Sequence, residues 1–238
     1  MKRTIALWPA ALAALVISGG RAGAQGDTRP TVAVMYFANG VVGSNTRDYD
    51  ALGRGVADIL VTAMAANPGI RVVERDQIEK VMSEHKLVTE GQVDAGTAIR
   101  VGKLLGVHHM IFGAFVGIGE SWRLDARAVN VETSAVEHVE TVSGKQANLM
   151  SMIDQMANRL NTGMKLPPLP AGAREMRGEA AKKVPFQVAL QYSRALALKD
   201  AGKPDSAAVL LTRSLHDFPD YEPAKRELAK IQTKRGTN

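Results

Sequence analysis

The chain has 238 residues, 45% of them hydrophobic but only 5% aromatic, so it can bury a core built mostly from Val, Ile, Leu, Met and Ala. It contains no cysteine, which excludes disulfides, thiolate metal ligands, a cysteine nucleophile and a lipidated cysteine. The formal charge of +6 is unevenly spread: residues 25–165 hold 14 basic and 16 acidic side chains, and residues 166–238 hold 13 and 8, so the two parts present different surfaces.

Residues 1–24 have the layout of a secretory signal peptide. Lys2 and Arg3 are followed by the apolar stretch Ile5–Ile17 and by the small residues Ala22-Gly23-Ala24. Cleavage is expected between Ala24 and Gln25, giving a periplasmic or exported protein. The apolar stretch is interrupted by Pro9 and falls short of the ~20 residues of a spanning helix, and no later stretch is long enough for one.

Thr31–Phe37 (TVAVMYF) does not alternate in polarity and predicts a buried strand, followed by a turn-rich loop at Asn39–Asn45. The glycines of that loop match neither the dinucleotide nor the Walker spacing. Leu52, Val56, Ile59, Leu60, Ala63 and Met64 recur at helical spacing until Asn67-Pro68-Gly69. A short strand at Ile70–Glu74 then completes a right-handed crossover. Asp76 and Glu79 resemble a capping box for a second helix, whose buried face is Ile78, Val81 and Met82 with His85 on the same side.

A turn at Gly91–Gly96 leads to a third helix, with Asp94 as its cap, Ala98, Val101, Gly102 and Leu105 on its apolar side, and Gly106 at its end. The run opened by His108-His109 and continuing through Met110–Val116 reads as a central strand apolar on both faces. Neighbouring strand residues point to opposite faces, so the two histidines do not chelate one metal. After Gly117-Ile118-Gly119, the segment Trp122–Val131 alternates Trp122, Leu124, Ala126 and Ala128 with Arg123, Asp125 and Arg127: a strand with one buried and one polar face. Ala135–Val142 predicts an edge strand, and Leu149, Met152, Ile153, Met156 and Leu160 a closing helix.

Lys165–Ala171 (KLPPLPA) opens a proline-rich linker, assigned to residues 165–183. Beyond it, Pro185–Ala201 and Asp205–Phe218 predict a helical hairpin with a further helix at Glu222–Gln232. Ala195, Gly202, Ala207, Leu211 and Pro219 fall at offsets resembling a single tetratricopeptide repeat. One such repeat cannot bury its own apolar faces, so it must pack on the main domain, on a partner or on copies of itself.

The order β-α-β-α-α-β-β-β-α, together with VVERDQIEKVMSEHKL, LLGVHHMIFGAF and LDARAVNVETSAV, resembles the CsgG family of curli secretion components over roughly residues 31–160. Its most specific pieces are Val73-Glu74-Arg75, Glu84 with Leu87, and the strand entered from Leu104-Leu105-Gly106. The resemblance implies an α/β fold with a mixed five-stranded sheet covered by helices, similar also to the TolB amino-terminal domain. Here that domain (25–164) is followed by the linker and a helical repeat tail (184–238). The connections Gly117–Ser121 and Gly144–Asn148, where the family's pore-forming hairpins would be inserted, are shorter than the ~9–11 residues that each membrane strand needs.

No catalytic, cofactor or metal residues stand out. Asp48, Asp50, Glu74 and Arg75 sit near strand ends, but none is paired with a nucleophile or a phosphate-binding motif, and Glu74 and Arg75 are read as cap and surface ion-pair residues. The expected function is therefore a non-enzymatic accessory to cell-envelope assembly or secretion that binds other envelope proteins, with self-assembly open and nucleic acid excluded. Arg123, Asp125 and Arg127 are the candidate interface, against the plainer reading of a solvated strand face. The alternative is an envelope enzyme or nucleotide- or ligand-binding domain on the same sheet.

Overall fold

A computed structural model describes residues 27–43, 46–87 and 94–236, so the signal-peptide reading and most of the Gly91–Gly96 turn lie outside the described residues. The elements run β1 (Thr31–Asn39), α1 (Leu52–Ala65), β2 (Arg71–Val72), α2 (Arg75–Glu84), α3 (Ala95–Leu105), β3 (His109–Ile118), β4 (Ser121–Asn130), β5 (Val136–Lys145), α4 (Leu149–Gly163), α5 (Ala173–Lys183), α6 (Phe186–Asp200), α7 (Pro204–Asp217) and α8 (Glu222–Gly236). The strands form one five-stranded sheet in the order β2-β1-β3-β4-β5. β1 is parallel to β2 and β3, while β3-β4-β5 is an antiparallel meander.

β1 and β3 are central strands, and their uninterrupted apolar runs follow from being covered on both sides. Val32, Val34, Ile111 and Phe115 face the cluster made by α1, α4 and α6, whereas Ala33, Met35, Met110 and Phe112 face α2 and α3. Asp94 caps α3 by accepting from the Thr97 N–H at 2.6 Å, and Gly106 ends that helix in the left-handed region (φ 65°) that glycine enters without a Cβ clash. The expected capping box does not form at α2. That helix starts two residues earlier, with Glu74 at its N-cap and no side-chain cap bond, because Asp76 and Glu79 are engaged elsewhere. His85, expected on the buried face, is exposed at the end of α2.

The carboxy-terminal third is joined to the sheet by a shared core. Residues 173–183, within the stretch expected to be linker, form α5. α6 lies directly on α1, and Val188, Tyr192, Ala195, Leu196, Leu211 and Tyr221 belong to the same apolar cluster as Val56, Leu60 and Ile153. The approach of α6 to α1 is close: a Cβ on Gly55 would sit 1.8 Å from Ser193 Oγ. Phe186, the first residue of α6, meets Trp122 edge-on at 5.5 Å and Tyr49 at 6.3 Å, and Trp122 in turn stacks on Phe115 at 5.7 Å. Burying a side chain of this size stabilises by roughly 2–3 kcal/mol. The scarce aromatics are thus concentrated where the tail meets the sheet.

Candidate functional site

The two faces of the sheet are not equally covered. α1, α4 and α6 cover one side of β4, burying Trp122, Leu124, Ala126 and Ala128. On the other side α2 and α3 reach only one end of the meander, where Met110, Phe112 and Val129 are buried. Past that point the pleat continues through Ala114 and Val116 on β3, Arg127, Asp125 and Arg123 on β4, and Val139, Thr141 and Ser143 on β5. Cross-strand register pairs Phe112 with Arg127, Ala114 with Asp125, Arg127 with Val139, and Asp125 with Thr141. The three residues singled out in the sequence therefore share one open face, as their alternation predicts.

A groove of about 520 Å³ runs over this face, with Phe112, Ala114 and Ala38 among its floor residues, Arg123, Arg127 and Val139 along one side, and Asp94 at the start of α3. Val139 is 57% exposed, and Ile118 and Val42 nearby along the sheet are exposed as well. The charges in the groove are unequally satisfied. Arg123 Nε donates to Asp125 Oδ2 at 2.8 Å, and Thr141 Oγ1 donates to Asp125 Oδ1 at 2.8 Å. The bond from the Thr97 N–H holds the Asp94 carboxyl below its usual range. The Arg127 side chain makes no ion pair or hydrogen bond among the described residues.

The second polar constellation is one that the sequence concealed. Arg75, expected at the surface or in a cap, is only 1% exposed. Its Nη1 donates to both carboxylate oxygens of Asp200 at 2.9 and 2.8 Å, and its Nη2 to Asp76 Oδ1 at 3.0 Å. Asp200 also takes Arg54 Nε at 3.2 Å. Asp76 accepts from Lys199, Lys199 bonds to buried Glu227 of α8, and Glu227 is bridged through Lys230 to Glu74. Burial opposes the Arg75 charge, but Asp200, Tyr36 and Asp58 together outweigh it and keep the guanidinium pKa above its ordinary value. Burial raises the Asp58 carboxyl, partly offset by the hydrogen bond from Tyr192 Oη at 2.5 Å and by Arg75. Every acidic partner on the tail side comes from α6 or α8. The network fastens the tail to the start of α2, and the sequence signal was there in Val73-Glu74-Arg75 but not its partners.

The remaining candidates are dispersed. Asp50 accepts from Asn39 Nδ2 at 2.8 Å, the Asp48 main chain accepts from Arg194, and Glu74 is a half-open partner of Lys230. His108 Nδ1 takes the Thr31 N–H at 3.1 Å, while His109 Nδ1 meets Glu137 at 2.5 Å. No nucleophile, base and orienting group come together among these residues.

An α/β domain with a partly open meander and a fastened helical tail is the class that this geometry defines. Residues 19–123 match the family described as "Curli production assembly/transport component CsgG", and the chain carries a CsgG-like domain. The match spans β1 to the start of β4; the tail lies outside it. Among solved structures, the LpoB C-terminal domain from Salmonella enterica is similar, with 16% identity and a TM-score of 0.40, covering 49% of this chain and 82% of that one. The PelC dodecamer from Paraburkholderia phytofirmans has 12% identity and a TM-score of 0.36, covering 59% and 90%. TolB from Acinetobacter baumannii has 9% identity and a TM-score of 0.38, covering 58% and 29%. No curated protein matches the sequence.

Proposed function

We propose that this is a non-enzymatic accessory protein of the cell envelope, exported by its amino-terminal segment, which works by docking another envelope protein on the open face of β3-β4-β5. The observation that carries the reading is the half-covered sheet. An antiparallel meander can leave one face to solvent, and here that open face is not uniformly polar: it holds a groove bearing Arg123, Arg127 and exposed Val139. The CsgG-like domain supports an envelope setting. Two short connections at one end of the meander, Gly119-Glu120 and the 3-10 turn Gln146–Asn148, support a binding module over a pore-forming subunit.

A photo-crosslinking residue placed at Val139 in the full-length chain, expressed in its own cell envelope, tests this. Position 139 should give a discrete crosslinked product that Arg127→Glu removes, while exposed Val209 on α7 gives none. No product at 139, or the same products at both positions, would sink the reading.

A further inference from the structure

The docking face carries a demand more specific than surface complementarity, one that rests on the docking function just proposed. We infer that the groove takes an extended segment of a partner protein carrying one acidic side chain between apolar ones, with its carboxylate on Arg127.

Charge and shape both select this occupant. Asp125 is already matched by Arg123 and Thr141, and Asp94 by the start of α3, so neither seeks a cation. The Arg127 side chain is left with a planar set of N–H donors and no ion pair or hydrogen bond among the described residues. A carboxylate answers that fork with two parallel hydrogen bonds. Arg127 stands on a rigid strand between β3, whose Ala114 and largely buried Phe112 line the groove, and exposed Val139 on β5, so an incoming carboxylate is flanked by apolar groove lining on both sides. That surface lowers the local dielectric and strengthens the pair. It also asks for apolar side chains on either side of the acid.

A polyanion fits poorly. Successive phosphates would meet Asp94 and Asp125 in the same groove. A free sheet edge offers a rival way to bind a strand, but β5 is blocked at its middle. The Thr141 carbonyl accepts from Arg159 Nη1 at 3.1 Å, and the Thr141 N–H donates to Glu140 Oε1 at 3.3 Å. The segment therefore lies on the face.

The test uses residues 25–238, labelled with nitrogen-15, and two blocked peptides: acetyl-Val-Leu-Glu-Val-Leu-amide and its Gln counterpart. The Glu peptide should bind about tenfold more tightly, the ratio expected when one charge-assisted pair replaces a neutral one. Its amide shifts should centre on Ala114, Arg127 and Val139. Arg127→Gln, checked for an unchanged fold by the dispersion of its spectrum, should bring the Glu peptide down to the Gln level. Equal affinities for the two peptides, or shifts centred elsewhere, overturn the inference. If the crosslink at Val139 persists in that case, docking survives and only the acidic requirement falls.

Discussion

Arg75 shows how one side chain can hold two parts of a chain in register. Its guanidinium is buried together with Asp200, a residue 125 positions away, and with Asp58 at 3.8 Å. Removing one partner of such a pair leaves the other charge buried and unmatched, at a cost of about 3–5 kcal/mol. Arg75→Met should therefore destabilise the protein by about that much, seen as a lowered urea midpoint. Adding Asp200→Asn should recover part of the loss, because the stranded carboxylate is then neutral. A double variant no more stable than Arg75→Met would show that the pair is not the source of the effect. The sequence places Arg75 correctly at a strand–helix junction but makes it look exposed. Nothing local says otherwise: its partners come from α1, from its own neighbour Asp76 and from the end of α6, and only folding assembles them.

Among the elements, those whose signals are periodic were the most legible. The apolar run of β3, the alternation of β4 and the helical hairpin α6–α7 all appear within a few residues of the expected bounds. Boundaries set by competition were not. Asp76-x-x-Glu79 has the spacing of a capping box, yet Asp76 is drawn to Arg75 and Lys199 and Glu79 to Tyr36, so the helix begins without them. The strand expected at residues 70–74 shrinks to Arg71–Val72, a short edge next to β1. The opposite edge, β5, spans ten residues and needs protection from pairing with other chains. Arg159 and Glu140 supply it by occupying the main chain of Thr141. The double variant Arg159→Ala/Glu140→Ala should fold but associate in a concentration-dependent way, which sedimentation velocity would detect. A monomer at every concentration would refute a protective role.

For the whole molecule, the tail completes the core of the α/β domain. The proline-rich composition of 165–171 suggests a spacer, but Asn67 Nδ2 donates to the Pro167 carbonyl at 2.6 Å and Arg177 of α5 donates to the Ala63 carbonyl at 2.7 Å, so this connection is pinned to the end of α1. A chain ending at Met164 would strip α6 from α1 and leave Arg75 without Asp200. Such a truncation should lose fixed side-chain packing, read as increased binding of a hydrophobic dye together with a flattened near-ultraviolet circular dichroism spectrum. Cooperative unfolding at the parent midpoint would show that the two parts are independent.

The aromatic junction gives this arrangement a built-in reporter. The sequence has two tryptophans, Trp8 and Trp122, and the first lies in the segment expected to be removed on export. In residues 25–238 all indole fluorescence therefore arises from Trp122, which is 3% exposed and touches Phe186 at the entry to the tail. Its emission would be blue-shifted while α6 is seated and would move to the red when α6 lifts. The natural chain thus reports the docking of its own tail without any added label.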